Sequence, residues 1–188
     1  ARSTDGGRIW EPSLNLSNTA KGCTREQIEI DSAGTLWVSW DEGWDRLTEK
    51  GTQEAGWLIH STDGGQTWSA PVVFDQPART NVQLATASDG RGGVLAVWRT
   101  TTLNDIFYAV SRDGAQTWTA PAVIPGLFAR AWEWTRFDAY DLAVDSAGVF
   151  HLAVVGRQKV VEESAGESDG VYHLAWDGTA WSAPERVF

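Results

Sequence analysis

Apolar residues in this chain fall into short alternating runs broken by tight polar turns, and the same order of runs returns several times. Ile28-Glu29-Ile30 leads through Asp31-Ser32-Ala33-Gly34 into Leu36-Trp37-Val38-Ser39-Trp40. Leu84 to Trp98 repeats the plan, and so does Leu142-Ala143-Val144, turning at Asp145-Ser146-Ala147-Gly148 into Phe150-His151-Leu152-Ala153-Val154. A period of two with Asp, Ser and Gly at the turn predicts a β-hairpin, because alternate side chains of a strand face opposite sides of its sheet. A third strand is expected at about Trp57–His60, Asp105–Val110 and Val171–Ala175.

The third strand runs each time into a second, more specific turn. Ser3-Thr4-Asp5-Gly6-Gly7-Arg8-Ile9-Trp10, Ser61-Thr62-Asp63-Gly64-Gly65-Gln66-Thr67-Trp68 and Ser111-Arg112-Asp113-Gly114-Ala115-Gln116-Thr117-Trp118 share the pattern S-x-D-G-x-x-x-W. A shorter copy without the serine runs from Ala175 through Asp177 to Trp181. The four aspartates are 58, 50 and 64 residues apart, close to one four-stranded blade plus loops. The aspartate can accept amide hydrogen bonds within its own turn, the glycine supplies a positive φ, and the tryptophan covers the hairpin. Segments starting with proline follow the later copies, at Pro71, Pro121 and Pro184, and predict an edge strand because proline cannot donate to a ladder. The expected unit is a four-stranded meander at residues 24–76, 80–126 and 139–188, preceded by the remnant hairpin of another unit at 1–16.

On these motifs the chain resembles the Asp-box (BNR) repeats of the sialidase-like β-propellers. The resemblance implies an all-β propeller segment of about three blades, with Asp5, Trp10, Asp63, Trp68, Asp113, Trp118, Asp177 and Trp181 as structural residues. Such propellers use six or more blades, so the rest of a larger polypeptide or a second copy of the chain is expected to close the ring. The resemblance also places ligands at the end of the channel where second-to-third-strand loops meet blade-to-blade loops. Here those are Asp41–Gly56, Arg99–Asn104 and Gly156–Gly170, with Ser17–Arg25, Asp75–Asn81 and Pro125–Tyr140.

Composition narrows the partners. A net charge of −10 repels nucleic acid and anionic lipid. Apolar runs such as Gly93–Trp98 and Val149–Val155 are far shorter than the roughly 20 residues of a membrane-spanning helix. Cys23 stands alone, and His60, His151 and His173 show no spacing that suits a metal, so neither cofactor nor metal is expected. The chain opens at Ala1 without a charged-then-apolar leader, as expected of a mature, processed or excised segment, and the resemblance implies a secreted or cell-surface protein.

Nine of the 12 tryptophans belong to the repeat; Trp44, Trp132 and Trp134 do not, and all three fall in expected ligand-face loops beside charged residues. Flat aromatics next to charge suit sugar rings or a protein partner. The residues following the second strand, Asp41 and Glu42, Arg99 and Arg157, are expected to converge on the channel mouth, to hold an anionic ligand or to form inter-blade ion pairs. Sialidases clamp the substrate carboxylate with three arginines and use a tyrosine nucleophile and an aspartic acid. Arg99, Arg136, Arg157, Tyr140 and Asp41 would fill those roles. The F/Y-R-I-P segment of that family is missing, and no glutamate is evidently placed against Tyr140. The expected function is therefore a non-catalytic extracellular module that binds glycan or protein or builds a surface assembly, with a fragment of an exo-sialidase or related glycoside hydrolase as the alternative.

Overall fold

The computed structural model describes residues 1–45, 50–76, 80–101, 103–130, 138–158 and 169–188. Its strands form three antiparallel sheets, each a meander of four consecutive strands. The first sheet holds β1 (Cys23–Ile30), β2 (Leu36–Asp45), β3 (Lys50–Ser61) and β4 (Val72–Phe74). The second holds β5 (Asn81–Ser88), β6 (Val94–Thr100), β7 (Asp105–Ser111) and β8 (Ala122–Phe128). The third holds β9 (Tyr140–Val144), β10 (Phe150–Gly156), β11 (Gly170–Trp176) and β12 (Glu185–Arg186).

The sheets stack face to face, and period-two alternation decides what lies between them. Trp37, Leu58 and Phe74 of the first sheet meet Leu84, Ala96, Trp98 and Phe107 of the second. The other face of the second sheet, with Ala85, Ala87, Leu95 and Val97, meets Tyr140, Leu142, Leu152 and Leu174 of the third. Every residue of β5 and β6 is buried, since this sheet has a sheet packed on each face. The approach is close: a Cβ on Gly56 would lie 2.9 Å from the Leu84 side chain.

Both recurring turns have the local chemistry their sequence calls for. Ahead of the second strand, Asp31, Asp89 and Asp145 each accept two amides, from the residues two and four positions on. In the S-x-D-G turns, Asp5, Asp63 and Asp113 accept amides from the residues three and four positions on and the hydroxyl of the preceding serine. Asp177 accepts the amides of Thr179 and Ala180 in the shorter copy. One backbone bond closes all four turns: Glu11 to Arg2, Ser69 to His60, Thr119 to Val110 and Ser182 to Ala175. Residues 1–22 form no strand, yet the turn at their start is built like the others.

Two expectations are corrected. The first long loop, expected at Asp41–Gly56, is mostly hairpin: β2 and β3 stay paired through Glu42↔Ala55 and Asp45↔Lys50 across a bulge. Arg99, expected to open a loop, lies inside β6 and pairs with Val82 and Ile106. In both places hydrogen bonding of the ladder outlasts the hydrophobic alternation that marked the strand.

Candidate functional site

At the end of the sheets where β1, β5 and β9 begin, a seam of polar side chains ties the three sheets together. It starts at two bulges. β1 slips register between Thr24 and Gln27, and β5 between Val82 and Ala85. Arg25 and Gln83 occupy the bulges with positive φ, 55° and 60°. Both stand six residues ahead of a turn aspartate, Asp31 or Asp89. A bulge re-aims its residue out of the ladder, and both side chains turn to their neighbours.

Asp41, 1% exposed, is the hub. Its carboxylate accepts Arg25 Nη1 at 2.7 Å, the Gln83 amide at 2.7 Å and the Leu84 amide at 3.2 Å. Burial pushes its pKa up to about 6 in spite of those donors, leaving it ionised at neutral pH. Gln83 donates to the Asp138 carbonyl at 2.7 Å, carrying the seam into the approach to the third sheet. There Arg130 grips Asp138 through Nε and Nη2 and reaches Asp169 at 3.0 Å, and Arg157 also pairs with Asp169. Burial disfavours charge on Asp169, but these two guanidinium groups hold its carboxyl below the ordinary range.

The residues singled out from the sequence are thus placed differently from one another. Asp41 pairs with Arg25, and Arg157 with Asp169. Glu42 is buried and accepts Trp40 Nε1 at 3.1 Å, a bond within the first sheet. Arg99 is buried beside Tyr140 and donates Nε to the Thr100 carbonyl; burial lowers its pKa against the pull of Tyr140 and Asp138. Tyr140 is buried too, and its hydroxyl has no hydrogen-bond partner among the described residues. Burial raises the phenol's pKa, the opposite of an activated nucleophile. Trp132, Trp134 and Arg136 lie outside the described residues, as does the side chain of Trp44. Arg25, Gln83 and Arg130 were missed, although the shared six-residue offset before the turn aspartates was available for the first two.

Among the described residues one recess opens at this end and another lies farther along β1, toward the Asp31 turn. The first, about 300 Å³, is lined by Arg25, Glu26, Gln27, Gln83, Asp138 and Tyr140, among others. The second, about 220 Å³, is lined by Glu29, Ser39, Thr86 and Asp141, with Trp37 as an apolar wall. Burial, with Asp31 and Asp141 nearby, pushes Glu29 up to about 7. Among the described residues no group of three or more His, Cys, Asp and Glu side chains is arranged around a metal ion.

No protein-family model and no curated protein matches the chain. Solved structures do share its fold. A protein of unknown function from Dyadobacter fermentans aligns with a TM-score of 0.62 and 16% identity over 89% of this chain and 56% of its own. A Hadza microbial sialidase aligns at 0.57 and 16%, over 86% of this chain and 37% of its own. An ulvan lyase, described as a polysaccharide lyase, aligns at 0.50 and 14%, over 88% and 44%. The fold is accordingly a sialidase-like all-β fold of propeller-like four-stranded sheets. The chain spans between 37% and 56% of the length of these structures.

Proposed function

We propose that this chain is a segment of an Asp-box propeller that binds a glycan outside the cell without cleaving it. The observation that carries this reading is the use made of the polar seam. Asp41, Arg99 and Tyr140, the groups a sialidase-like hydrolase would turn on substrate, are each 2% exposed or less. A group that sealed within the protein cannot attack a glycosidic bond, and Asp41 instead ties the first sheet to the second. Over the seam opens the 300 Å³ recess, at the small end of ligand-sized pockets, a mostly apolar hollow with Glu26 and Gln27 among the polar side chains on its wall. Further blades, from the same polypeptide or a second copy, complete the ring in this reading. The sialidase and ulvan lyase likenesses support a carbohydrate ligand through fold alone.

The test is calorimetric titration with neutral and acidic oligosaccharides, alongside an assay with a fluorogenic sialoside. Binding that weakens at least tenfold in Glu26→Lys at unchanged melting temperature, with no turnover, is the expected result. Turnover that disappears in Tyr140→Phe would replace this reading with the hydrolase.

A further inference from the structure

The outward face of the third sheet carries a pair of imidazoles that the glycan-binding reading does not use. His151 on β10 pairs with Ala175, and His173 on β11 pairs with Ala153, so the two histidines are diagonal neighbours on one face. Nδ1 of His151 and Nε2 of His173 are 2.9 Å apart, and the rings lie nearly parallel, 15° apart in plane. Each far nitrogen has a carboxylate: Asp145 Oδ2 is 3.3 Å from His151 Nε2, and Glu185 Oε2 is 4.0 Å from His173 Nδ1. Asp145 is itself fixed, its other oxygen accepting the amides of Ala147 and Val149.

A carboxylate on the far nitrogen draws the N–H to that side and leaves a lone pair on the near one. For His151 this sets Nε2–H toward Asp145 and a lone pair on Nδ1. His173 answers with Nε2–H in the metal-free protein. Moving this proton to Nδ1, on the Glu185 side, leaves a lone pair on each of the two near nitrogens and only redistributes protons within the pair.

We propose that His151 and His173 form a two-imidazole site for a first-row divalent cation, Cu2+, Ni2+ or Zn2+, with Asp145 and Glu185 as orienting groups. The spacing fits. Two imidazole nitrogens at roughly 2.0–2.1 Å from a tetrahedral ion stand about 3.3 Å apart, so the pair needs to open by a few tenths of an ångström and the two exposed rings to turn until both lone pairs meet at the ion. Both rings are more than a third exposed, leaving the remaining coordination positions to water or to a donor from whatever covers this face. Because the carboxylates act on the far nitrogens, this is a two-ligand site, distinct from the groups of three or more absent among the described residues. Imidazole favours copper, nickel and zinc over magnesium and calcium, and affinity is highest for Cu2+ in the general order for such ligands. At a net charge of −10 the whole chain attracts the cation.

The test is titration of the intact chain with CuCl2, NiCl2 and ZnCl2 in a non-chelating buffer near pH 7.5, followed by calorimetry and by NMR of the histidine ring protons. The expected result is one equivalent of Cu2+ bound more tightly than Zn2+, and Mg2+ not bound. His151 and His173 ring signals should broaden with Cu2+ while those of His60 stay sharp. His173→Asn should weaken binding at least tenfold, and Asp145→Asn should weaken it less, both at a melting temperature close to that of the parent. Copper binding equal in the parent and in His173→Asn, broadening centred on His60, or no heat above that of the buffer would overturn the proposal. If Asp145→Asn disturbs its turn, His173→Asn and the NMR signals still decide.

Discussion

At the residue scale, burial separates tryptophans that the sequence pattern puts in one class. Trp98 is 1% exposed between the first and second sheets, stacked near Phe107 and tilted against Phe74. Trp68 and Trp118 are half-buried, and Trp10 is 61% exposed. Trp98→Ala is expected to cost about 3–5 kcal/mol, the range for deleting a large buried aromatic. Trp10→Ala should leave the urea midpoint nearly unchanged, with Trp68→Ala and Trp118→Ala between the two. A midpoint for Trp10→Ala as low as that for Trp98→Ala would show that the S-x-D-G turn depends on its tryptophan, not on the carboxylate hydrogen bonds. Glu29 supplies a pH signal at the same scale. Its pKa is raised from 4.5 to about 7, so between those values the folded chain keeps a proton that the unfolded chain has released. Stability contributed by this group therefore falls as pH rises from about 4.5 to 7. Glu29→Gln should flatten that part of the profile, seen as a higher melting temperature than the parent at pH 8 and little difference at pH 4.5.

At the element scale, the bulges in β1 and β5 convert strand ends into clasps. Arg25→Ala removes the cation that pairs with a carboxylate 1% exposed, and the amides of Gln83 and Leu84 do not neutralise it. Breaking a buried pair from one side costs roughly 3–5 kcal/mol, and denaturant unfolding should show a loss of that order. Arg25→Ala combined with Asp41→Asn should recover part of it. If the double variant is no better than the single one, the Arg25 stem matters through packing and not through charge. The strands themselves were legible, because a two-residue period with Asp-Gly turns leaves few other local structures open. The seam was not. A bulge is one extra residue with no compositional mark, and Arg25 and Gln83 gain their roles from a register shift visible only once the strands pair. The histidines show the same limit, since a 22-residue separation in sequence becomes a diagonal contact across two strands.

At the scale of the whole molecule, the first and third sheets each pack a face on the second, and Gln27 Nε2 donating to the Tyr140 carbonyl at 3.1 Å ties β1 directly to β9. Among the described residues the middle sheet is packed on both faces, and the third sheet on one. Amide exchange should therefore be slowest in β5 and β6 and faster in β10 and β11, as local opening follows the number of interfaces lost. Equal protection across all three sheets would mean that the stack opens as one unit.

The first sheet has a further consequence. Ile28 and Ile30 stand three and one positions ahead of Asp31, as Thr86 and Ser88 do ahead of Asp89. Thr86 and Ser88 are buried against the preceding sheet, whereas Ile28 and Ile30 are 69% and 65% exposed. Leu16 packs on the neighbouring Val38, Trp40 and Ile59. Around neutral pH, mutual repulsion between highly anionic molecules keeps these two isoleucines from meeting their counterparts on other molecules. Acidification into the carboxylate range removes that repulsion and leaves the greasy stripe in charge, so the shelf life of a concentrated solution should be set by pH well before unfolding begins. Light scattering at pH 5, compared between the parent and Ile28→Thr/Ile30→Ser, measures how much of that clouding two side chains cause.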